Sequence, residues 1–233
     1  MHLEHPHWSA WDAATALALL LAAGLYSEAL RRRAPISAAN ALAFAAGWLS
    51  LAIALLAPLE SEVAESFSLH MIQHELLMIA APPLLILGRP YAALAATLPA
   101  VGLRIAALPL CVPPLAALLL HAIALWIWHV PRFFDAALES AAVHAAQHAS
   151  FFFTALLFWW AVFRRVRTGI AVLYILATMI HAGALAALLT FAPAPLYSLT
   201  ALSEQQLGGL IMWVPAGYAM LAAGLIAFHR ILR

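Results

Sequence analysis

The chain contains no lysine: all eleven of its basic residues are arginine. That excludes a retinal Schiff base, even though the hydropathy pattern gives seven helices. The single cysteine, Cys111, excludes an internal disulfide framework and a paired-thiol metal site. Charge is scarce too, at 9% of 233 residues, while 66% are hydrophobic and the mean hydropathy is +0.96. Soluble domains are roughly half apolar and about a quarter charged. This composition excludes a soluble enzyme, a disordered chain and a nucleic-acid binder. It points to an all-α integral membrane protein. No soluble domain, low-complexity tract or internal repeat stands out, so the chain reads as a single transmembrane domain.

Crossing a ~30 Å hydrocarbon core takes about 20 apolar residues. Seven segments meet that length, at about 10–30, 40–58, 67–87, 108–128, 144–163, 169–190 and 207–228. The breaks carry arginine, proline, glycine or acidic residues. Arg31, Arg32, Arg33, Arg89, Arg104, Arg164, Arg165, Arg167, Arg230 and Arg233 fall on one side of this bundle, and only Arg132 on the other. The positive-inside rule then places the N-terminus outside and the C-terminus in the cytoplasm of a multi-pass protein. Residues 1–9 form a short outer tail without the basic start of a cleavable signal, so the first helix is expected to remain. Residues 88–107 read as a short amphipathic piece at the cytoplasmic interface.

Against this apolar background the chain carries eleven histidines. His2, His5 and His7 are on the outer tail and His229 is at the cytoplasmic end. His70 and His74 open the third helix, and His144 and His148 the fifth. A spacing of four puts each pair on one helical face. His129 ends the fourth helix, and His121 lies eight residues, ~12 Å, deeper. His181 is in the middle of the sixth. This places His70, His129 and His144 in an outer layer, His74 and His148 one turn below, and His121 and His181 deeper again.

Neutral imidazole is a common ligand for copper, zinc, iron and haem. Met71, Met78 and Met179 add thioethers, which suit reduced copper. Glu75 adds a carboxylate, and Gln73 and Gln147 each precede a histidine as candidate hydrogen-bond partners. Glu204, Gln205 and Gln206 stand at the mouth of the seventh helix, ahead of Gly208, Gly209 and Pro215. They read either as a lining of the entrance or as a polar cap over a tight packing face. A lone intramembrane histidine commonly serves packing, and methionine commonly fills core space. The paired histidines are the feature that packing explains least. The tryptophans read as interface anchors, and Cys111 as apolar packing in the fourth helix.

The string His70-Met71-Ile72-Gln73-His74-Glu75-Leu76-Leu77, with Ala81-Pro82-Pro83-Leu84 and Leu87-Gly88-Arg89-Pro90, resembles the CtaG family of seven-helix cytochrome c oxidase assembly factors, first associated with caa(3)-type oxidases. Trp128-His129-Val130-Pro131, His144 and His148, Phe158-Trp159-Trp160, and Gln205 through Pro215 resemble the same family in the same order. Glu204 stands where that pattern has aspartate, and His121 and His181 match none of its motifs. An unrelated single-span copper chaperone of the same name uses cysteines that this chain lacks.

The resemblance implies a part in maturing a haem–copper oxidase at the bacterial inner membrane, with copper held or delivered at the outer face. The implied partners are oxidase subunits or a copper chaperone, together with the lipid bilayer. The expected metal set is His70, His74, His129, His144 and His148, extended inward by His121 and His181, near an open outer mouth. The alternatives are a b-type haem electron carrier with paired axial histidines and a metal-ion or proton transporter. No activated serine or cysteine arrangement suggests an enzyme.

Overall fold

A computed structural model describes residues 10–56, 66–107, 111–198 and 200–231. The outer-tail histidines and the acidic 60–65 segment lie outside the described residues. Ten helices and no strand occur among the described residues. They are α1 (Ala10–Arg31), α2 (Ala38–Leu55), α3 (Phe67–Leu87), α4 (Pro90–Thr97), α5 (Pro99–Ala107), α6 (Pro114–Trp128), α7 (Pro131–Glu139), α8 (Ala141–Arg165), α9 (Thr168–Thr190) and α10 (Leu202–Ile231). Six of them are long and apolar enough to cross a membrane, and the bent pair α6–α7 makes up to seven.

The difference from the expected fourth span has a local cause. Pro113 and Pro114 start α6 late: Pro113 is extended, and Pro114 sits in the first turn, where its missing N–H costs nothing. The helix has 15 residues, about 22 Å, which falls short of the hydrocarbon thickness. Cys111 consequently lies in the bend ahead of α6 and is exposed, rather than packed within a helix. At the other end Pro131 starts α7, which turns away from α6 by 75°. Residues 88–107 form two short helices rather than one amphipathic piece.

Inside a bilayer, helices associate through close packing and hydrogen bonds, because lipid is as apolar as leucine. Gly209 on α10 is such a contact: a Cβ there would come within 2.8 Å of the Thr190 nitrogen and 2.9 Å of the Ala186 oxygen on α9. Gly208 is filled by the Phe67 ring of α3. The centre of the bundle is α3 and α8, with 56% and 44% of their membrane stretches buried, against 17% for α1 and α10. These two most enclosed helices carry the two histidine pairs.

Both central helices also contain a π turn, at Leu76–Ala80 and Ala161–Arg165. The first has a chemical cause. Pro82 has no N–H to offer the Met78 carbonyl, and the freed oxygen accepts instead from the Trp159 indole at 3.0 Å. Trp159 is therefore a core residue that ties α8 to α3, not an interface anchor.

Arg32, Arg89 and Arg164 gather at one end. Arg32 donates to the Ala96 carbonyl and Arg89 to that of Pro35, and the Tyr91 ring lies between Arg89 and Arg164. The histidine pairs lie toward the opposite end.

Candidate metal centre

His70 and His74 occupy successive turns of α3, their ring centroids 4.3 Å apart. His144 and His148 do the same on α8 at 4.0 Å. The two helices bring the pairs face to face, with His70 at 5.1 Å from His144 and 6.1 Å from His148, and His74 at 5.6 Å from His148. The result is a three-histidine group: one ring nitrogen from each of His70, His144 and His148 lies within 4.8 Å of the others. Three imidazole nitrogens this close could converge on one metal ion.

His129 does not join the outermost layer. It caps the C-terminus of α6, and its ring turns back along the helix so that Nδ1 meets the Leu125 carbonyl at 2.7 Å. The ring therefore packs beside His74, at 6.2 Å. A carbonyl oxygen can only accept, so Nδ1 carries the proton and Nε2 the lone pair. That Nε2 is buried and unpartnered. Metal-binding histidines commonly have their second nitrogen fixed by a backbone carbonyl in this way.

The group is enclosed. His70 and His74 are fully buried, His129 and His148 nearly so, and His144 is partly accessible. Phe151 stands 4.7 Å from His74, and Phe134 stands 5.2 Å from His70. Phe134 in turn packs against Phe67 and Tyr197. Tyr197 donates to the His129 carbonyl. Burial, and then the Asp135 carboxylate, raise its pKa and keep the phenol protonated. The open mouth expected from sequence is thus a lid of aromatic rings. Its key member, Phe134, belongs to α7, where the Phe133-Phe134 pair behind Pro131 was the available sequence signal.

The remaining polar candidates serve the scaffold. Gln73 faces away from the histidines, because adjacent helical positions are ~100° apart. It donates to the Ala54 carbonyl at 2.6 Å, one of the end carbonyls of α2 that no helical N–H can reach. Glu204 accepts from Ser66 Oγ, Ser68 N and Ser68 Oγ at the start of α3. Gln205 ties the α9–α10 connection by donating to Leu189 O and accepting from Leu196 N, and Gln206 reaches Ala192 O. Because α10 starts at Leu202, this triplet lies within its first turns and caps and staples rather than lining an entrance. Met71 packs against α10 at Gly208. Gln147 alone remains beside His70, fully buried.

The deeper residues separate from the cluster. His181 Nδ1 accepts from the Trp126 indole at 3.4 Å, which takes up its lone pair. His121, Glu75, Met78 and Met179 line a separate cavity that none of His70, His74, His144 or His148 lines.

The donor set passes a chemical test for metal. Both rings of the α3 pair are fully buried, neither nitrogen of His74 has a hydrogen-bond partner, and His70 has only the Gln147 amide beside it. A buried polar group left unmatched costs ~1–3 kcal/mol, and native folds seldom tolerate several side by side. A cation would satisfy the lone pair of each neutral ring and remove that share of the cost.

The family model for the cytochrome c oxidase caa3 assembly factor matches residues 20–233. The chain belongs to this family. No curated protein and no solved structure matches it. The caa3 assembly factor match takes in all seven histidines of α3, α6, α8 and α9, and begins within α1. Its many apolar helices make it the multi-pass kind, distinct from the single-span chaperone.

Proposed function

We propose that the chain serves the assembly of a bacterial cytochrome c oxidase by holding copper at His70, His144 and His148. The three ring nitrogens within 4.8 Å carry this reading. His74 and His129 form the second tier and shape the pocket beneath. The metal supplies a cationic centre for the imidazole lone pairs. The protein's part is to keep those rings neutral, dry and converged until a partner arrives. His144, the partly accessible member, is the side from which an oxidase subunit or copper chaperone exchanges the ion. The protein acts as a carrier rather than a catalyst. The arginine end faces the cytoplasm of the bacterial inner membrane by the positive-inside rule, which sets the histidine end outward.

Elemental analysis of the purified protein tests this, with copper, zinc and iron read together. The expected result is copper in the parent protein, with the share ligated by nitrogen alone, read by X-ray absorption, absent from the double variant His70→Ala/His148→Ala. Copper ligated by nitrogen alone that persists in that variant overturns the assignment. Stoichiometric iron with a visible haem absorption band replaces it with the electron-carrier reading, although Phe134 and Phe151 already fill the space beside the rings.

A further inference from the structure

The six methionines of the chain are Met1, Met71, Met78, Met179, Met212 and Met220. The last two did not stand out by sequence spacing. The fold brings Met78 from α3, Met179 from α9 and both Met212 and Met220 from α10 to one cavity of about 90 Å³. The same cavity is lined by Glu75 and His121 and by none of His70, His144 or His148.

The room comes from small residues. A Cβ added at Gly217 would meet nothing within 4 Å, and one at Gly183 would first meet Trp213 Nε1 at 3.6 Å. Pro215 lies within this stretch of α10 and gives no N–H to the carbonyl one turn earlier. Met78 lies in the π turn of α3 and lines the same cavity.

The polar members are presented as ligands. Thr154 spends its hydroxyl proton on the Ser150 carbonyl at 2.7 Å, so at the 3.2 Å contact with His121 it accepts from Nδ1. The neutral His121 ring then keeps its lone pair on Nε2. Glu75 Oε2 is shielded and has no hydrogen-bond partner.

Thioethers are soft, uncharged donors. They favour a monovalent soft cation and discriminate against the hard divalent ions that carboxylates and water prefer. A purely apolar cavity would not collect a carboxylate and an imidazole lone pair; a purely polar one would not collect four of the chain's sulfurs. We propose that this cavity is a second metal site, separate from the histidine group, where Met78, Met179, Met212 and His121 hold an ion of the Cu(I) class and Glu75 supplies the negative charge. It does not depend on the histidine group binding metal.

Cu(I) loading of the full-length protein in detergent, under reducing anaerobic conditions against a chromogenic chelator, tests the site. X-ray absorption reads the ligand atoms. Leucine replaces methionine at similar volume with little loss of packing, so Met179→Leu/Met212→Leu removes sulfur while keeping shape. The expected outcome is sulfur scattering from Cu(I) in the parent protein and in His70→Ala/His148→Ala, and its loss in Met179→Leu/Met212→Leu. Zinc should not compete for this ion. Should the double leucine variant fail to fold, each single leucine variant must lower the sulfur signal. Unchanged Cu(I) uptake with an unchanged spectrum in the leucine variants overturns the proposal, and so does a parent spectrum with nitrogen ligands alone. Failure of the histidine assignment reads differently: nitrogen-ligated metal is then unaffected by the alanine pair.

Discussion

At the arginine end of the bundle, Tyr26 donates to the Gly88 carbonyl at 2.7 Å, Asn40 to Leu87 at 2.7 Å and Arg89 to Pro35 at 2.9 Å. Each closes a carbonyl at a helix end or in a tight connection. At the histidine end, His74 is fully buried with both ring nitrogens unmatched, and His148 Nε2 and His129 Nε2 add two more. Both ends contain polar groups among apolar helices, and both leave some unmatched, Arg89 Nε and Trp160 Nε1 at the arginine end, but only the histidine end gathers several unmatched groups side by side. A fold that can match a phenol to a carbonyl 62 residues away is able to match imidazoles as well. Unmatched imidazoles grouped in this way are what the proposed copper site requires.

The strongest way to break this contrast is to remove the unmatched groups and look for metal. His70→Ala/His148→Ala is expected to lose the copper of the three-histidine group altogether, read as metal ligated by nitrogen without sulfur. Next comes the distinction between two histidines that look alike in sequence. His129 has its proton held by a carbonyl and its lone pair free, whereas His181 has its lone pair taken by Trp126. His129→Phe should weaken copper retention by about tenfold, the range seen when supporting residues of metal sites are removed. His181→Phe should leave it unchanged. Equal effects in a chelator competition would show that tautomer does not sort these rings.

Much of this was legible in the sequence. The third span was expected at 67–87 and is found there, because the apolar run is bounded by a serine cap and by Gly88. The i,i+4 histidine pairs fix which faces of α3 and α8 meet. The rest depends on three-dimensional choices that a single sequence does not encode locally. His129 leaves the outer layer because a helix cap lets its ring fold back. The lid exists because Pro131 starts an extra helix. Two of the four cavity methionines are on α10, far in sequence from Met78, and only the bundle geometry brings them together. The π turn was half visible: Pro82-Pro83 announces a broken ladder, but not that Trp159 repairs it.

The contrast also makes a stability prediction with opposite signs at the two ends. Tyr26→Phe removes a donor and strands a buried carbonyl, so it should lower the thermal midpoint in detergent by the equivalent of ~1 kcal/mol. His74→Leu in metal-free protein exchanges an unmatched buried group for an apolar one of similar size, which is neutral or stabilising. Should His74→Leu cost as much as Tyr26→Phe, the histidine end is built for packing and the comparison fails.

The smallest effect is expected where pairing is most visible. Glu28 bonds both Arg31 and Arg32 at the end of α1, the ion pairs found among the described residues. Both arginine side chains are well exposed, at 79% and 52%. Solvent and salt screen such pairs, and holding long side chains in place offsets much of what remains. Glu28→Gln should therefore leave the midpoint of thermal unfolding unmoved within error, at low and high salt alike. A clear drop at low salt that high salt abolishes would mean that the arginine end is held by charge. Its buried carbonyl bonds would then no longer account for its order, and the comparison with the histidine end would rest on electrostatics instead.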